Sequence, residues 1–238
     1  MKAWSGGALV FLGAWAWAWA WAGRAEIVRV PDSAATYAER RAALEAAYQT
    51  NSRNPQLLFD LGHLAHQQAV TGDAAAVKLA ERYLRELRQV APTNAFGQAL
   101  LGSAIVMKAR EAFLPTTKLK WVRQGCAEMD AAVAAAPDDL NARFTRASNN
   151  LFLPDLCGRK EIARQDFEWL HRETTRAGTT APKDFRQYAA LFYGIALQKW
   201  GESTAARNRW QEGLALDETS AVAEDIRKTL AALNYAKK

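Results

Sequence analysis

The chain has 238 residues, half of them hydrophobic, so it is long enough to bury a substantial core. Its 31 Lys and Arg residues exceed its 25 Asp and Glu residues, which gives a net charge of +6. This mild surplus falls short of the clustered basic face of a nucleic-acid binder, and we expect no nucleic acid as a partner. Frequent alanine and sparse glycine and proline favour helices packed on helices.

The N-terminal segment has the layout of a secretory leader. Lys2 precedes an uncharged run over residues 3–23, which ends in alternating alanine and tryptophan. Its apolar centre is shorter than the roughly 20 residues that span a bilayer, and small residues suit cleavage after Ala22 or Ala25. We predict a signal peptide over residues 1–25 and an exported protein that is periplasmic, envelope-associated or secreted. The alternative is a short uncleaved anchor held by interfacial tryptophan.

Helix signals follow the leader and come in pairs. The first helix is predicted over residues 33–49, and a polar turn separates it from Pro55, which suits the first turn of the next helix. The turn around Gly72 ends that helix, and another helix is predicted over residues 74–90. The paired pattern then repeats along the chain.

The second helices of these pairs share a spacing. A small residue is followed four and seven positions later by residues of the same face, and a proline comes five positions after the last of them. The residues in the first two copies are Ala80, Leu84, Leu87 and Pro92, then Gly125, Met129, Ala132 and Pro137. Weaker copies begin at Ala163, without the proline, and at Ala206, with Glu218 in the place of proline.

The first helices carry a small residue after a larger one at Gly62, Gly102, Ala147 and Gly194. With this spacing, the sequence resembles the tetratricopeptide repeat (TPR) family, whose unit is two antiparallel helices of 34 residues. The resemblance implies an all-α fold, a right-handed α-solenoid of about four helix pairs over residues 54–220. A leading segment with a flanking helix over residues 26–53 and a C-terminal capping helix over residues 221–238 would shield its ends. We expect large residues four positions after the small ones to fill gaps against the next pair.

The residues offer little catalytic chemistry. We found no serine nucleophile motif, phosphate-binding glycine loop or dinucleotide fingerprint, so we predict a protein that is not an enzyme and has no cofactor. His63 and His66 lie three positions apart on one helix, but no third ligand is evident, so we predict a polar groove surface there and no metal. His171 is predicted to be ordinary surface. Cys126 and Cys157 are either a disulfide, which export permits, or separate thiols.

The insertion between Gly102 and Gly125 is basic and partly apolar. The interval is 23 residues, against 12 between Gly194 and Ala206, and we predict a long loop. Inserted loops on rigid scaffolds commonly carry specificity, so this loop and the next turn are predicted to form a docking edge for an acidic partner or anionic envelope components. The candidate residues are Lys108, Arg110, Phe113, Lys118, Lys120, Trp121, Arg159 and Lys160. The alternative is that the apolar residues cover the helix ends while the charges are solvated.

A repeat stack also offers a concave groove lined by the first helix of each pair. The groove residues predicted to bind a partner are His63, His66, Phe144, Ser148, Asn149, Asn150, Tyr188 and Lys199. Asparagine side chains there would satisfy an extended peptide backbone, although Asn149 and Asn150 would equally cap the bend that follows them.

These observations predict a non-catalytic scaffold or assembly factor of the bacterial envelope. Its partner would be another protein, acidic or peptide-like, and membrane contact would come only through an uncleaved leader. The alternative is a helical carrier of a small ligand or a transporter accessory protein.

Overall fold

The structure is a computed structural model that describes residues 34–235; the predicted leader lies outside these residues. The described part contains ten α-helices and no β-strand. The helices are α1 (Ala34–Thr50), α2 (Pro55–Val70), α3 (Ala74–Val90), α4 (Ala95–Met107), α5 (Pro115–Ala135), α6 (Leu140–Phe152), α7 (Lys160–Thr175), α8 (Lys183–Lys199), α9 (Ser203–Leu216) and α10 (Ala221–Tyr235). Short 3-10 helices lie at Lys108–Arg110 and Asp155–Cys157. The all-α prediction is confirmed.

The helix boundaries follow local signals in the sequence. The Asn54 side chain accepts hydrogen bonds from the backbone amides at the start of α2, and Pro55 occupies the first turn, where its missing N–H costs nothing. Asp73 caps α3 in the same way. The turn that joins α8 to α9 uses Gly201 at φ +87°, a conformation that suits glycine.

Small residues let the paired helices cross closely, as the spacing predicted. A Cβ added at Gly102 would lie 2.6 Å from the Gly125 carbonyl oxygen and 2.7 Å from Cγ of Met129. A Cβ added at Gly62 would lie 2.7 Å from Cγ of Leu84. Both contacts join the two helices of one pair, α2 with α3 and α4 with α5. The space beside each glycine is therefore filled by a large side chain of its own pair.

In the last pair, α8 and α9, the residue that packs beside the glycine is a tryptophan. Trp210 of α9 is fully buried, and its indole ring occupies the space beside Gly194 of α8. The indole N–H donates a hydrogen bond to the Leu191 carbonyl oxygen at 3.0 Å, which satisfies the one polar atom of the ring. The side chain four positions after the small Ala206 is thus the main packing residue of this pair.

The chain divides after Arg146 into two compact units, and each is described by itself. The first unit contains α1 to α5, the second contains α7 to α10, and the division falls within α6. Among residues 34–235, none of the helices combines the length and the apolar character that crossing a bilayer requires.

Candidate functional site

The insertion of the first unit is mostly helical, which corrects the loop prediction. Only residues 111–114 lie between the 3-10 helix and α5, so Lys118, Lys120 and Trp121 are on the first turns of α5. With 21 residues, α5 is eight residues longer than the 13-residue α4. At 1.5 Å per residue this difference is about 12 Å. Pro115 starts the helix with a favourable φ, and helix-compatible residues continue it.

Two basic residues of this insertion, Lys108 and Arg110, already make contacts within the first unit. The Lys108 ammonium lies 2.9 Å from a Glu81 carboxylate oxygen and 3.7 Å from the centre of the Trp121 ring. The Arg110 guanidinium donates a hydrogen bond to the Ala69 carbonyl oxygen at 3.1 Å. These three candidate residues, Lys108, Arg110 and Trp121, therefore hold the base of α5 against the preceding helices.

The other candidates of the insertion face solvent. Phe113 is 94% exposed and Leu114 is 55% exposed, and Lys118 and Lys120 are exposed on the helix that follows. We name Phe113 and Leu114 the apolar tip. An exposed concavity of about 570 Å³ lies along one face of α5, and its lining includes Leu119, Lys120 and Arg123.

The turn between α6 and α7 exposes a second apolar side chain. Leu156 is 81% exposed within the 3-10 helix that Asp155 begins. The Arg159 guanidinium donates to the Asn150 side-chain oxygen at 3.1 Å, and Lys160 is exposed at the start of α7. Leu114 and Leu156 were missed as candidate residues, although each lies within two positions of a proline in a turn, a place where an apolar side chain has few neighbours to cover it.

Neither Cys126, which is buried, nor Cys157, which is partly buried, forms a disulfide in the structure. Cys126 lies on the packed face of α5, where it acts as a small apolar residue. The structure thus agrees with the separate-thiol interpretation.

The groove residues of the first unit are buried, which corrects the predicted polar groove surface. His63 is 1% exposed and His66 is fully buried. The His66 Nε2 atom lies 2.8 Å from the Ser103 hydroxyl of α4, and His63 packs beside the rings of Phe59 and Phe96. Burial holds the pKa of His66 well below 6.5, and positive charge at His63 and Arg110 would lower that pKa further. The His66 imidazole is therefore a neutral interior group.

The remaining groove residues divide into buried and accessible ones. Phe144, Ser148, Asn149 and Asn150 of α6 are all buried, so their predicted role as groove surface is corrected. Two residues of α8 keep access to solvent. Tyr188 is partly buried, and desolvation raises the pKa of its hydroxyl to about 12. Lys199 is exposed, and its ammonium donates a hydrogen bond to the Leu151 carbonyl oxygen. The burial of the α2 and α6 residues removes much of the polar lining on which a small-ligand groove depended.

These polar residues are buried because the inner helices are covered on more than one face. Residues of α4 are buried on every side, and α2 is buried on all sides along most of its length. Helical spacing identified which residues share a face but could not show that a second face is also covered. The polar side chains on that second face then become interior groups that need hydrogen bonds.

His171 is a partly buried histidine of the second unit, which corrects its interpretation as ordinary surface. Its ring contacts the Arg209 guanidinium and lies 5.8 Å from the Tyr193 ring, centre to centre. Burial lowers the pKa of His171 from 6.5 to about 4, and the positive charge of Arg209 adds to the effect.

We expect His171 to make stability depend on pH. Its pKa is lower in the folded state, so on acidification the unfolded chain binds the proton first, and stability present above about pH 6.5 is lost as the pH falls toward 4. Allowing for partial solvent screening, the loss between pH 7.5 and pH 5 should be about 1 kcal/mol. Urea unfolding of the parent and of His171→Gln at both pH values would measure it.

The matched control is Arg172→Gln, an exposed change on the same helix. It should keep the pH dependence of the parent, whereas His171→Gln should reduce it. An equal loss of stability in His171→Gln and in the parent would contradict this account of His171.

Among the described residues, no group of three or more His, Cys, Asp and Glu side chains is placed to hold a metal ion. His63 and His66 instead contact Gln67 and Ser103, respectively. The buried cluster of α2 and α4 is thus built from polar contacts between side chains.

The arrangement of helix pairs can be compared with known structures. The chain is similar to the crystal structure of a thermophilic TPR protein from Thermus thermophilus, with a TM-score of 0.65 and 17% sequence identity. The match covers 84% of this chain and 92% of the Thermus protein. This chain has a TPR-like fold. Neither a protein-family model nor a curated protein sequence matches the chain.

TPR-like folds generally mediate protein–protein interaction and typically carry no catalytic chemistry. The inner helices α2 and α4 are covered, and the accessible apolar side chains lie on the turns, at Phe113, Leu114 and Leu156. Among the described residues, the exposed large hydrophobic side chains therefore lie on turns.

Proposed function

We propose that the protein is a non-catalytic interaction scaffold of the bacterial envelope that holds an acidic protein partner on the α6–α7 turn of the second unit. The observation that carries the proposal is Leu156, a leucine 81% exposed on a turn that carries Arg159 and Lys160 as well as Asp155. An exposed large apolar side chain beside charges is typical of a binding surface, because its burial by a partner removes apolar area from water. The TPR-like fold supports the scaffold role.

The positive charges at this turn are held in place by the unit itself. Arg159 is oriented by Asn150, and Lys199 is oriented by the Leu151 carbonyl oxygen at the end of α6. Lys160 remains exposed at the start of α7. Side chains that are already ordered lose less conformational entropy when a partner binds. A partner with an apolar pocket for Leu156 and carboxylates around it would match this surface.

Site-specific cross-linking tests the proposal. We expect the photoreactive residue p-benzoylphenylalanine, placed at Leu156 of the full chain in its native envelope, to give one discrete cross-linked protein product. Adding Lys160→Glu or raising the salt concentration should weaken that product, because screening reduces attraction between opposite charges. The control is the same photoreactive residue at Arg172, an exposed site of the neighbouring helix. Equal products at both positions, or no product at 156, would refute this docking site.

A further inference from the structure

The apolar tip of the first unit differs from the α6–α7 turn in its chemistry. Among the described residues, the large hydrophobic side chains that are exposed are Phe113, Leu114 and Leu156, and the first two are adjacent in sequence. They precede Pro115, so they lie at the very start of the long helix α5. An adjacent aromatic and aliphatic pair left in water is costly, which indicates a surface that another phase or molecule covers.

The charges near the apolar tip are mostly positive. Glu111, two positions before Phe113, is exposed, but three exposed cations on α5 outnumber it, and one of them, Lys120, lies 5.4 Å from the centre of the Trp121 ring. Lys118, Lys120 and Arg123 are exposed along the first turns of α5, and none of them forms an ion pair with a described residue. Lys108, in contrast, is paired with Glu81. The cations that have no ion-pair partner, and that an external ligand would meet, therefore lie within two to three helical turns of Phe113.

The shape of the segment around Phe113 and Leu114 favours a ligand that can mould itself around a projection, such as a lipid bilayer. Phe113 and Leu114 lie on the short link into α5, and Phe113 is almost wholly exposed, so the tip projects into solvent, while the open concavity along α5 is lined by residues from Thr116 onward. A projecting apolar pair with cations behind it matches the interface of a bilayer, where apolar side chains enter the acyl boundary and lysines meet lipid phosphates. The Leu156 turn matches this less well, because it offers a single apolar side chain, directly adjacent to the Asp155 carboxylate.

We propose that the apolar tip inserts into the surface of an anionic phospholipid bilayer, with Lys118 and Lys120 contacting the headgroup phosphates. The sequence predicted membrane contact only through an uncleaved leader, and the tip provides a separate contact in the folded part of the chain. This contact goes beyond the proposed protein partner and uses a different surface, so either proposal can fail without the other. With two apolar side chains and a few cations, the binding is weak and reversible.

Vesicle binding by the full chain gives the first test. Vesicles of phosphatidylcholine with about one third phosphatidylglycerol should bind the chain more tightly than pure phosphatidylcholine, and salt should weaken the binding. Phe113→Ser combined with Leu114→Ser should weaken binding about tenfold, and Lys118→Glu combined with Lys120→Glu should do so at least as strongly. The matched control, Leu156→Ser, removes a leucine that is 81% exposed, against 55% for Leu114, and should leave vesicle binding unchanged. All these side chains are exposed, so we expect the circular dichroism spectra and Tm values of the variants to match those of the parent.

Cross-linking at the tip gives a second test that does not depend on the leader. With p-benzoylphenylalanine at position 113, the product in anionic vesicles should be a lipid adduct, detected by mass spectrometry, and position 156 should give none. The same vesicle affinity for the parent and the tip variant, together with no lipid adduct at 113, would overturn the bilayer proposal. A discrete protein product at 113 in the native envelope, without a lipid adduct, would overturn it in favour of a protein ligand.

Discussion

Replacing Trp210 by alanine should lower the free energy of unfolding by about 3–5 kcal/mol, the range for removing a fully buried aromatic side chain. The ring is completely buried in the second unit and fills the space beside Gly194, so its removal leaves a large cavity. The change also deletes the hydrogen bond to the Leu191 carbonyl oxygen. Urea denaturation followed by circular dichroism would measure the loss.

Trp200 is a matched control in the same unit. It is partly buried and stacks with the Arg164 guanidinium, whose central carbon lies 4.4 Å from the ring centre. Trp200→Ala should therefore cost about 1 kcal/mol, because an accessible cation–π contact contributes less than a filled interior. If Trp210→Ala proved no more destabilising than Trp200→Ala, the packing role of Trp210 would be wrong.

Replacing Gly125 by a residue with a bulky side chain should also destabilise the protein strongly. A Cβ at this position would collide with the Gly102 carbonyl oxygen and with the Val106 side chain, so Gly125→Val must push α4 and α5 apart. Overpacking of this kind costs about 1–3 kcal/mol, and we expect the upper part of that range because one colliding atom belongs to the backbone. Thermal and urea unfolding would provide the measurement.

Ala127→Val is the control for this change, since it places the same β-branched residue at an exposed position of the same helix. It should cost less than about 1 kcal/mol, the scale of helix propensity differences. Similar losses in both variants would show that propensity, and not the close crossing, explains the effect at Gly125.

Local signals predicted the helices of the first unit well. The predicted helix over residues 74–90 is observed at Ala74–Val90, and the predicted start at Pro55 is the observed start of α2. Capping and proline geometry act within one turn, so the nearby residues are sufficient to place these boundaries. The glycine crossing of α4 and α5 was also predicted, because close helix contact leaves no room for larger side chains.

The candidate site could be predicted only in part. The apolar and basic residues near Phe113 were identified from composition, and Phe113, Lys118 and Lys120 are exposed as a docking surface requires. The loop predicted for these residues was wrong. A long interval between two glycines is equally compatible with a loop and with a lengthened helix. The roles of Lys108 and Trp121 depend on their contact with each other and on the ion pair between Lys108 and Glu81, which lies far away in the sequence.

The sequence by itself determined the helical class, the ends of the first three helices and the glycine contacts within pairs, because these depend on local backbone geometry and on side-chain size. Only the tertiary structure decided which polar residues are accessible. His63, His66 and Asn150 share the polar character of a groove surface, yet they are buried, whereas Leu156 has the apolar character of a core residue and is exposed. Burial depends on which other segments pack against a helix face, and that information is distributed over residues distant in the chain.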